Sequence, residues 1–355
     1  MVLTKLEYLG FRETALSWFT SYLSDRDQLV ELKQSTRGVR VLHRSDRLPV
    51  NRGVPQGSVL GPVLFVLFTS DFPVYMEPYS NTIIYADDMV LLISGKNREA
   101  LEVQSYIALN VAIEYCAAND LVYNESKRKE MTLGSMKDEL SGFPNLDSVH
   151  AVEHLGVVVD NKISWMDHVD KLCAKLSSAL FAIRRVKHVS TEDAVRTAYS
   201  SLFECHLRYG IVLWGATTNG YLERVLITQK KAVRMLADLD WRASCRGAFK
   251  ELGILTVTNI YLLEVICLAS SRQLQRNMDT HTYQTRNARD FALPIHHSRR
   301  FQSKHSYGGA KFFNVLPETI KRADPVTLKK KLRSWLLQQP FYTISEFLDW
   351  QNFTV

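Results

Sequence analysis

Apolar residues in this chain follow two different rhythms. Up to about Trp165 they come in short runs separated by turns: Val63-Leu64-Phe65-Val66-Leu67-Phe68, then Thr82-Ile83-Ile84, then Met89-Val90-Leu91-Leu92-Ile93. Such runs, bounded by turn residues, predict a mixture of strands and helices. A longer amphipathic stretch covers Glu99 to Asn119. From Val169 to Leu236 the spacing settles at three to four residues with few breakers, and Leu172, Leu176, Ala179, Leu180 and Ile183 share one helical face. Tyr209-Gly210-Ile211-Val212-Leu213-Trp214-Gly215 interrupts these helices with an aromatic turn whose expected task is packing. Leu252-Gly253-Ile254-Leu255-Thr256-Val257 opens a last helical section, which runs to the Asn314-Val315-Leu316-Pro317 turn and a helix through Lys329-Lys330-Lys331. The pattern is that of an α+β chain, with no internal repeat, low-complexity tract or long flexible linker.

Chemistry concentrates between two of the short runs. Tyr85-Ala86-Asp87-Asp88 lies where a β-hairpin would turn, with two acids at its tip. Adjacent carboxylates repel and lose hydration unless a cation sits between them. Hard oxygen ligands of this kind suit Mg²⁺, which is held by one or two carboxylates plus substrate phosphates. The plainer reading of the pair alone is a solvated turn, because Asp favours turns. About thirty residues upstream stands Gly53-Val54-Pro55-Gln56-Gly57-Ser58-Val59-Leu60-Gly61-Pro62. Two glycines and a proline within five residues force a tight, exposed bend. Ser58 is expected to cap the following helix, with Pro62 in its first turn or so. Such a bend lets a ligand backbone come close, helix amides attract phosphate, and Gln56 presents a two-way hydrogen-bonding group.

At 355 residues the chain is long enough for two or three domains. Its 44 basic and 37 acidic residues leave a net charge of +7, but the excess is local. Arg272 to Arg333 holds fourteen Lys or Arg against four Asp or Glu, a net of +10, so the rest of the chain is about −3. Tyr283, Phe291, Phe301, Tyr307, Phe312 and Phe313 are interleaved there, and basic residues with stacking groups suit single-stranded or hybrid nucleic acid. For any one of these aromatics, a place in a helical core is the simpler expectation. Cys116, Cys173, Cys205, Cys245 and Cys267 are scattered singly, which points to a reducing compartment and away from a disulfide framework. No cysteine pair has zinc-ligand spacing, and His296, His297 and His305 have no partner cysteines nearby. Lys5, Glu7, Arg12 and Glu13 break up any leader-like stretch, and the run from Val59 to Phe68 is too short to cross a bilayer. A nuclear and cytoplasmic protein without a membrane partner is expected.

GVPQGSVLGP, running into LF and followed by YADD, resembles the reverse transcriptases of non-LTR (LINE-like) retrotransposons. The resemblance implies a right-hand polymerase. Residues 1–165 would be a partial fingers and palm region built on an antiparallel sheet with helices, 166–240 a helical thumb, and 241–355 a basic, mostly helical region. It places Gly53, Pro55, Gln56, Gly57 and Tyr85 on template and incoming nucleotide, and makes Asp87 and Asp88 the metal carboxylates for catalytic Mg²⁺. An RNA template, a DNA primer and deoxynucleoside triphosphates are the implied partners. Asn124-Glu125-Ser126-Lys127 looks like the next palm element, where the family has a lysine near the departing pyrophosphate. Lys127 therefore reads either as a catalytic proton donor or charge stabiliser, or as a surface lysine beside Arg128 and Lys129. His154-Leu155-Gly156-Val157-Val158-Val159-Asp160 looks like the hairpin that grips the primer strand, with Trp165 packing nearby. The family carries a further metal-binding aspartate on a strand ahead of the bend, followed by a helix resembling Leu6 to Leu23; Met1 falls inside or just before that helix, so strand and aspartate are expected to be missing. Ser24-Asp25-Arg26-Asp27 reads as a polar turn, with Asp25 paired to an arginine, and not as a substitute. Two readings follow: an RNA-directed DNA polymerase by family, and a catalytically inactive nucleic-acid-binding remnant of a mobile element, the second being expected for this polypeptide alone.

Overall fold

The computed structural model describes residues 1–36, 39–50, 52–55, 57–134, 147–272, 274–280, 287–296, 298–302 and 304–352. They divide into two compact units: one holds the residues up to Glu130 with Asp147–Ser148, the other Met131–Gly134 and the residues from Val149 onward.

The first unit opens with α1 (Val2–Tyr8) and α2 (Glu13–Leu23). A single helix over Leu6 to Leu23 is not what forms. Gly10 takes φ +97°, a conformation costly for residues with a Cβ, and breaks the helix there. Next come β1 (Asp27–Gln28), β2 (Glu31–Thr36), β3 (Val39–Arg44) and β4 (Leu48–Pro49), then α3 (Leu60–Thr69) and α4 (Phe72–Met76). A hairpin of β5 (Asn81–Tyr85) and β6 (Asp88–Leu92) precedes α5 (Arg98–Ala118), which matches the amphipathic stretch and starts on an Asn97 side-chain cap. β7 (Lys129–Glu130) and β8 (Asp147–Ser148) close the unit. Its main core is small: Phe72, Met76, Ala108 and Tyr115, with one face of the β5–β6 hairpin laid against them through Ile84, Met89 and Leu91. Lys5 ties α1 to this core. Its ammonium donates to the Phe68 carbonyl (2.8 Å), Asp71 Oδ1 (2.8 Å) and the Tyr115 hydroxyl (2.9 Å), and that hydroxyl in turn donates to Asp71 Oδ1 (2.6 Å).

The second unit starts with a hairpin of β9 (Ala151–His154) and β10 (Val157–Asp160), then α6 (Met166–Val189). α7 (Glu192–Tyr199) runs through a π-helical turn, Ser200–Glu204, into α8 (Cys205–Arg208). Val195, Tyr199, Phe203, Leu207 and Ile211 are all buried at intervals of four. In a regular α-helix each such step would drift by about 40°, and the wider turn absorbs part of that drift. Gly210 at φ +63° ends this run and starts α9 (Ile211–Trp214). α10 (Asn219–Leu236), α11 (Arg246–Glu251) and α12 (Val257–Ser271) follow, then α13 (Asn277–Thr280), α14 (Arg299–Gln302), α15 (His305–Val315), α16 (Glu318–Lys321), α17 (Pro325–Gln338) and α18 (Ile344–Leu348). One contiguous core reaches from Val169 to Phe347. Buried polar side chains clamp its last part: Thr256 Oγ1 donates to the Phe341 carbonyl (2.6 Å), and Asn259 Nδ2 to those of Leu336 (2.7 Å) and Gln339 (2.8 Å).

The α+β reading holds, but the strands form five two-stranded ladders in place of one palm sheet. Four are antiparallel; β7–β8 is parallel. Three of the antiparallel pairs are hairpins closed by local turns, so their register is set without the crossovers that would join them. All five cysteines are free thiols, and no described helix is long and apolar enough to cross a membrane.

Candidate nucleotide and metal site

The β5–β6 hairpin pairs Tyr85 with Asp88, Ile84 with Met89 and Ile83 with Val90. Alternation puts Ile84, Met89 and Leu91 on the packed face, and Ile83, Tyr85, Asp88 and Val90 on the other. Ala86 and Asp87 make the two-residue turn, and Ala86 at φ +52° has the positive sign that hairpin turns matched to strand twist require at that position. Asp87 therefore stands at the tip and Asp88 beside Tyr85; both acids are exposed, and Tyr85 is 63% exposed. Neither carboxylate has an ion pair or side-chain hydrogen bond among the described residues. Two uncommitted carboxylates at one tip are a donor set that fits Mg²⁺, which needs only one or two such ligands beside phosphate and water oxygens. Among the described residues, no group of three or more His, Cys, Asp or Glu side chains is gathered for a metal.

The glycine-proline bend forms as expected, with Gly53 at φ +74° and Gly57 at φ +79°. A Cβ at either would meet nothing within 4 Å, so the glycines serve backbone conformation and leave open space above the bend. Ser58 Oγ donates to the Pro55 carbonyl (2.7 Å) and accepts the Gly61 N–H (3.0 Å). It thus quiets a first-turn amide from just outside the helix, while the position before α3 is Val59, which has no side-chain cap. Gln56 lies outside the described residues. No hydrogen bond or ion pair joins the bend to the acidic hairpin among the described residues. The arginine beside Asp25 is engaged elsewhere: Arg26 donates to the carbonyls of Leu23 (3.0 Å) and Gly53 (2.7 Å), and Asp25 has no ion pair among the described residues. Backbone carbonyls outcompeted the neighbouring acid because Asp25, at φ +51°, is turned into the left-handed region. Arg26 is thus an anchor of the bend that sequence reading missed, its signal being a lone arginine in a tight turn. Arg52 pairs with Asp120 (3.1 Å) on the other side.

Lys127 ends a short 3₁₀ turn, Glu125–Lys127, opened by the Asn124 side chain accepting the Ser126 N–H (3.0 Å). It is exposed, and no ion pair holds it among the described residues. In the second unit, three side chains fix the β9–β10 hairpin. Tyr209 donates its hydroxyl to the Leu155 carbonyl at the turn, and His168 Nδ1 accepts the Val158 N–H (3.3 Å). Asp160 accepts the N–H groups of Lys162 (3.0 Å), Ser164 (3.0 Å) and Trp165 (2.7 Å). Burial works against the Asp160 carboxylate, yet these donors hold it below the usual aspartate range. Trp165 itself, at φ +66°, leads into α6 half-buried against the core.

The basic stretch Arg272 to Arg333 needs a correction. Phe291, Phe312 and Phe313 are core residues, 2%, 6% and 1% exposed, so they are no stacking platform; helical phase turns them inward. Phe301 and Tyr307 are half-buried against His296, and Tyr283 and His297 lie outside the described residues.

Residues 3–159 match the family described as Reverse transcriptase (RNA-dependent DNA polymerase). The chain carries a reverse transcriptase domain of the non-LTR (LINE-like) retrotransposon type. It is 28% identical over 302 residues, 80% of its own length, to a Drosophila melanogaster protein named Probable RNA-directed DNA polymerase from transposon BS. It is 27% identical over 229 residues, 60% of its length, to the RNA-directed DNA polymerase from mobile element jockey of the same organism. The matched part spans 31% of the first of these relatives and 25% of the second. No solved structure matches the chain.

Proposed function

We propose that this chain provides the nucleotide-adding part of an RNA-directed DNA polymerase, extending a DNA primer on an RNA template with deoxynucleoside triphosphates. The observation that carries this is the paired, uncommitted carboxylates of Asp87 and Asp88 beside exposed Tyr85, inside a domain of that family. Asp87 and Asp88 would hold Mg²⁺, which when bound stabilises charge on the attacking and leaving oxygens. Tyr85 offers a ring against the incoming nucleotide, on the hairpin face that carries Asp88. Gly53, Pro55 and Gly57, with Gln56 between them, leave room for template and nucleotide to approach the bend. Lys127, exposed and uncommitted, would neutralise or protonate the departing pyrophosphate. In this reading residues 1–165 act as fingers and palm, 166–240 as thumb and 241–355 as a basic region, with β9–β10 against the primer strand.

A second reading has its own support. A two-metal centre draws on more carboxylates than the two gathered here, so this polypeptide by itself would bind nucleic acid without extending it. Primer extension on a poly-A template with Mg²⁺ separates the readings. Incorporation that disappears in Asp87→Ala/Asp88→Ala establishes the first, and no incorporation despite tight binding of the hybrid establishes the second.

A further inference from the structure

The connection from α10 to α11 carries an unusual pair of side chains. Trp241 is 71% exposed, and the Arg242 guanidinium lies over its indole, 4.3 Å from the ring centroid. The turn that presents them is ordered by its own bonds. The Arg242 N–H donates to Asp240 Oδ1 (2.9 Å), the Ala243 N–H to the Asp240 carbonyl (3.0 Å), and Arg234 Nε to the Ala243 carbonyl (2.9 Å). Leaving an indole in water forgoes more apolar burial than leaving almost any other side chain there.

Beside this turn, one ring carries two cations. Lys230 Nζ stands 3.7 Å from the Tyr342 ring centroid, and the Arg246 guanidinium 3.9 Å from it. Arg234 adds a third positive charge and, through Ala243, connects the group to the turn. One carboxylate answers it, Glu346, which Arg246 holds at 2.7 Å. Lys230 has no carboxylate partner among the described residues. Burial and the neighbouring Arg234 and Arg246 depress its ammonium, against a smaller opposing pull from Cys245. Like charges crowded around a half-buried ring repel each other until an anion shares them.

We infer that this surface is a binding site for single-stranded nucleic acid, with a base stacking on Trp241 and Arg242 and flanking phosphates taken by Lys230, Arg234 and Arg246. A duplex hides its base faces, whereas a single strand presents them to any exposed ring. The inference rests on the nucleic-acid reading above only for the class of ligand, since it uses neither the acidic hairpin nor its metal.

The test is fluorescence anisotropy of the full chain with labelled oligouridylate, oligothymidylate and an RNA–DNA hybrid duplex, over a range of salt. Trp241→Ala should weaken single-strand binding about tenfold, the order of loss for one stacked base, while Trp241→Phe stays within about twofold of wild type. Lys230→Gln should lower the salt slope by about one. The two single strands tell whether ribose matters. Circular dichroism checks folding; should Trp241→Ala not fold, Arg242→Gln and Lys230→Gln carry the same question from exposed or half-buried positions. The inference is overturned if the wild-type chain binds no single strand, if folded variants bind as tightly as wild type, or if duplex binding falls equally in Trp241→Ala. Primer extension unchanged in these variants would leave the polymerase reading intact either way.

Discussion

The two units of this chain solve the problem of burying apolar surface to very different degrees. In the second, Trp214, Tyr199, Phe203, Phe249, Phe313, Phe341 and Phe347 are all essentially closed to water within one core. In the first, four residues make the central cluster, while Trp18, Val63, Val66, Ile83, Tyr85 and Tyr106 remain open on several elements. The contrast teaches that catalytic motifs and stability sit in different places. The acidic hairpin and the glycine-proline bend belong to the thinly packed unit, and the helical unit that carries no such motif has the dense interior.

Trp214→Ala should do the greatest damage. Removing a fully buried indole, whose Nε1–H donates to the Tyr209 carbonyl (2.9 Å), is expected to cost about 3–5 kcal/mol in urea unfolding followed by far-UV circular dichroism. A loss under about 1 kcal/mol would show that the helical unit is far looser than its burial implies. Lys5→Met comes next, at about 1–3 kcal/mol on the first unit alone, because Asp71 and the Tyr115 hydroxyl lose their shared cation in a partly buried setting. Hydrogen exchange of α5 amides, faster in the variant than in wild type, is the expected readout.

Acid should act on the second unit in two stages. Burial, then the nearby Lys171 and Lys175, push His168 below its ordinary value of 6.5, while Glu153 resists. The unfolded chain therefore takes up that proton first, and stability present above about pH 6.5 declines as pH falls from there. Asp160, held below 3.8, contributes stability that persists above that value and is lost only as pH drops through its lower folded value. Urea midpoints at pH 7, 5 and 3 should show both steps, and His168→Gln should flatten the first while sparing the second. The smallest effect belongs to Val66→Ser, an exposed apolar position on α3 at 57% exposure. There the stability change should stay within about 0.5 kcal/mol, read as an unmoved urea midpoint.

Much of this was legible from residue order. The alternation around Tyr85-Ala86-Asp87-Asp88 fixes a hairpin and its turn, and Asn97 with the following periodicity marks α5 to within a residue. Other features were not legible, for physical reasons that differ. Gly10 sits inside a spacing compatible with one helix, and only its left-handed φ decides that there are two. Phe291, Phe312 and Phe313 lie among basic residues, yet whether a ring faces core or solvent depends on helical phase, which a run of mixed charge does not reveal. Arg26 bonds backbone carbonyls that belong to no side-chain pattern at all. The bend could be read; what pins it could not.

The wide turn at Ser200–Glu204 has a consequence for how this region tolerates insertions and deletions. It acts as a splice in which one surplus residue is stored, keeping Leu207 and Ile211 in line with Val195 and Tyr199. Deleting a single residue there would restore ordinary winding but rotate everything beyond it by about 100° about the axis. Tyr209 would then swing away from Leu155, and a hairpin some fifty positions earlier in the chain would lose its clasp.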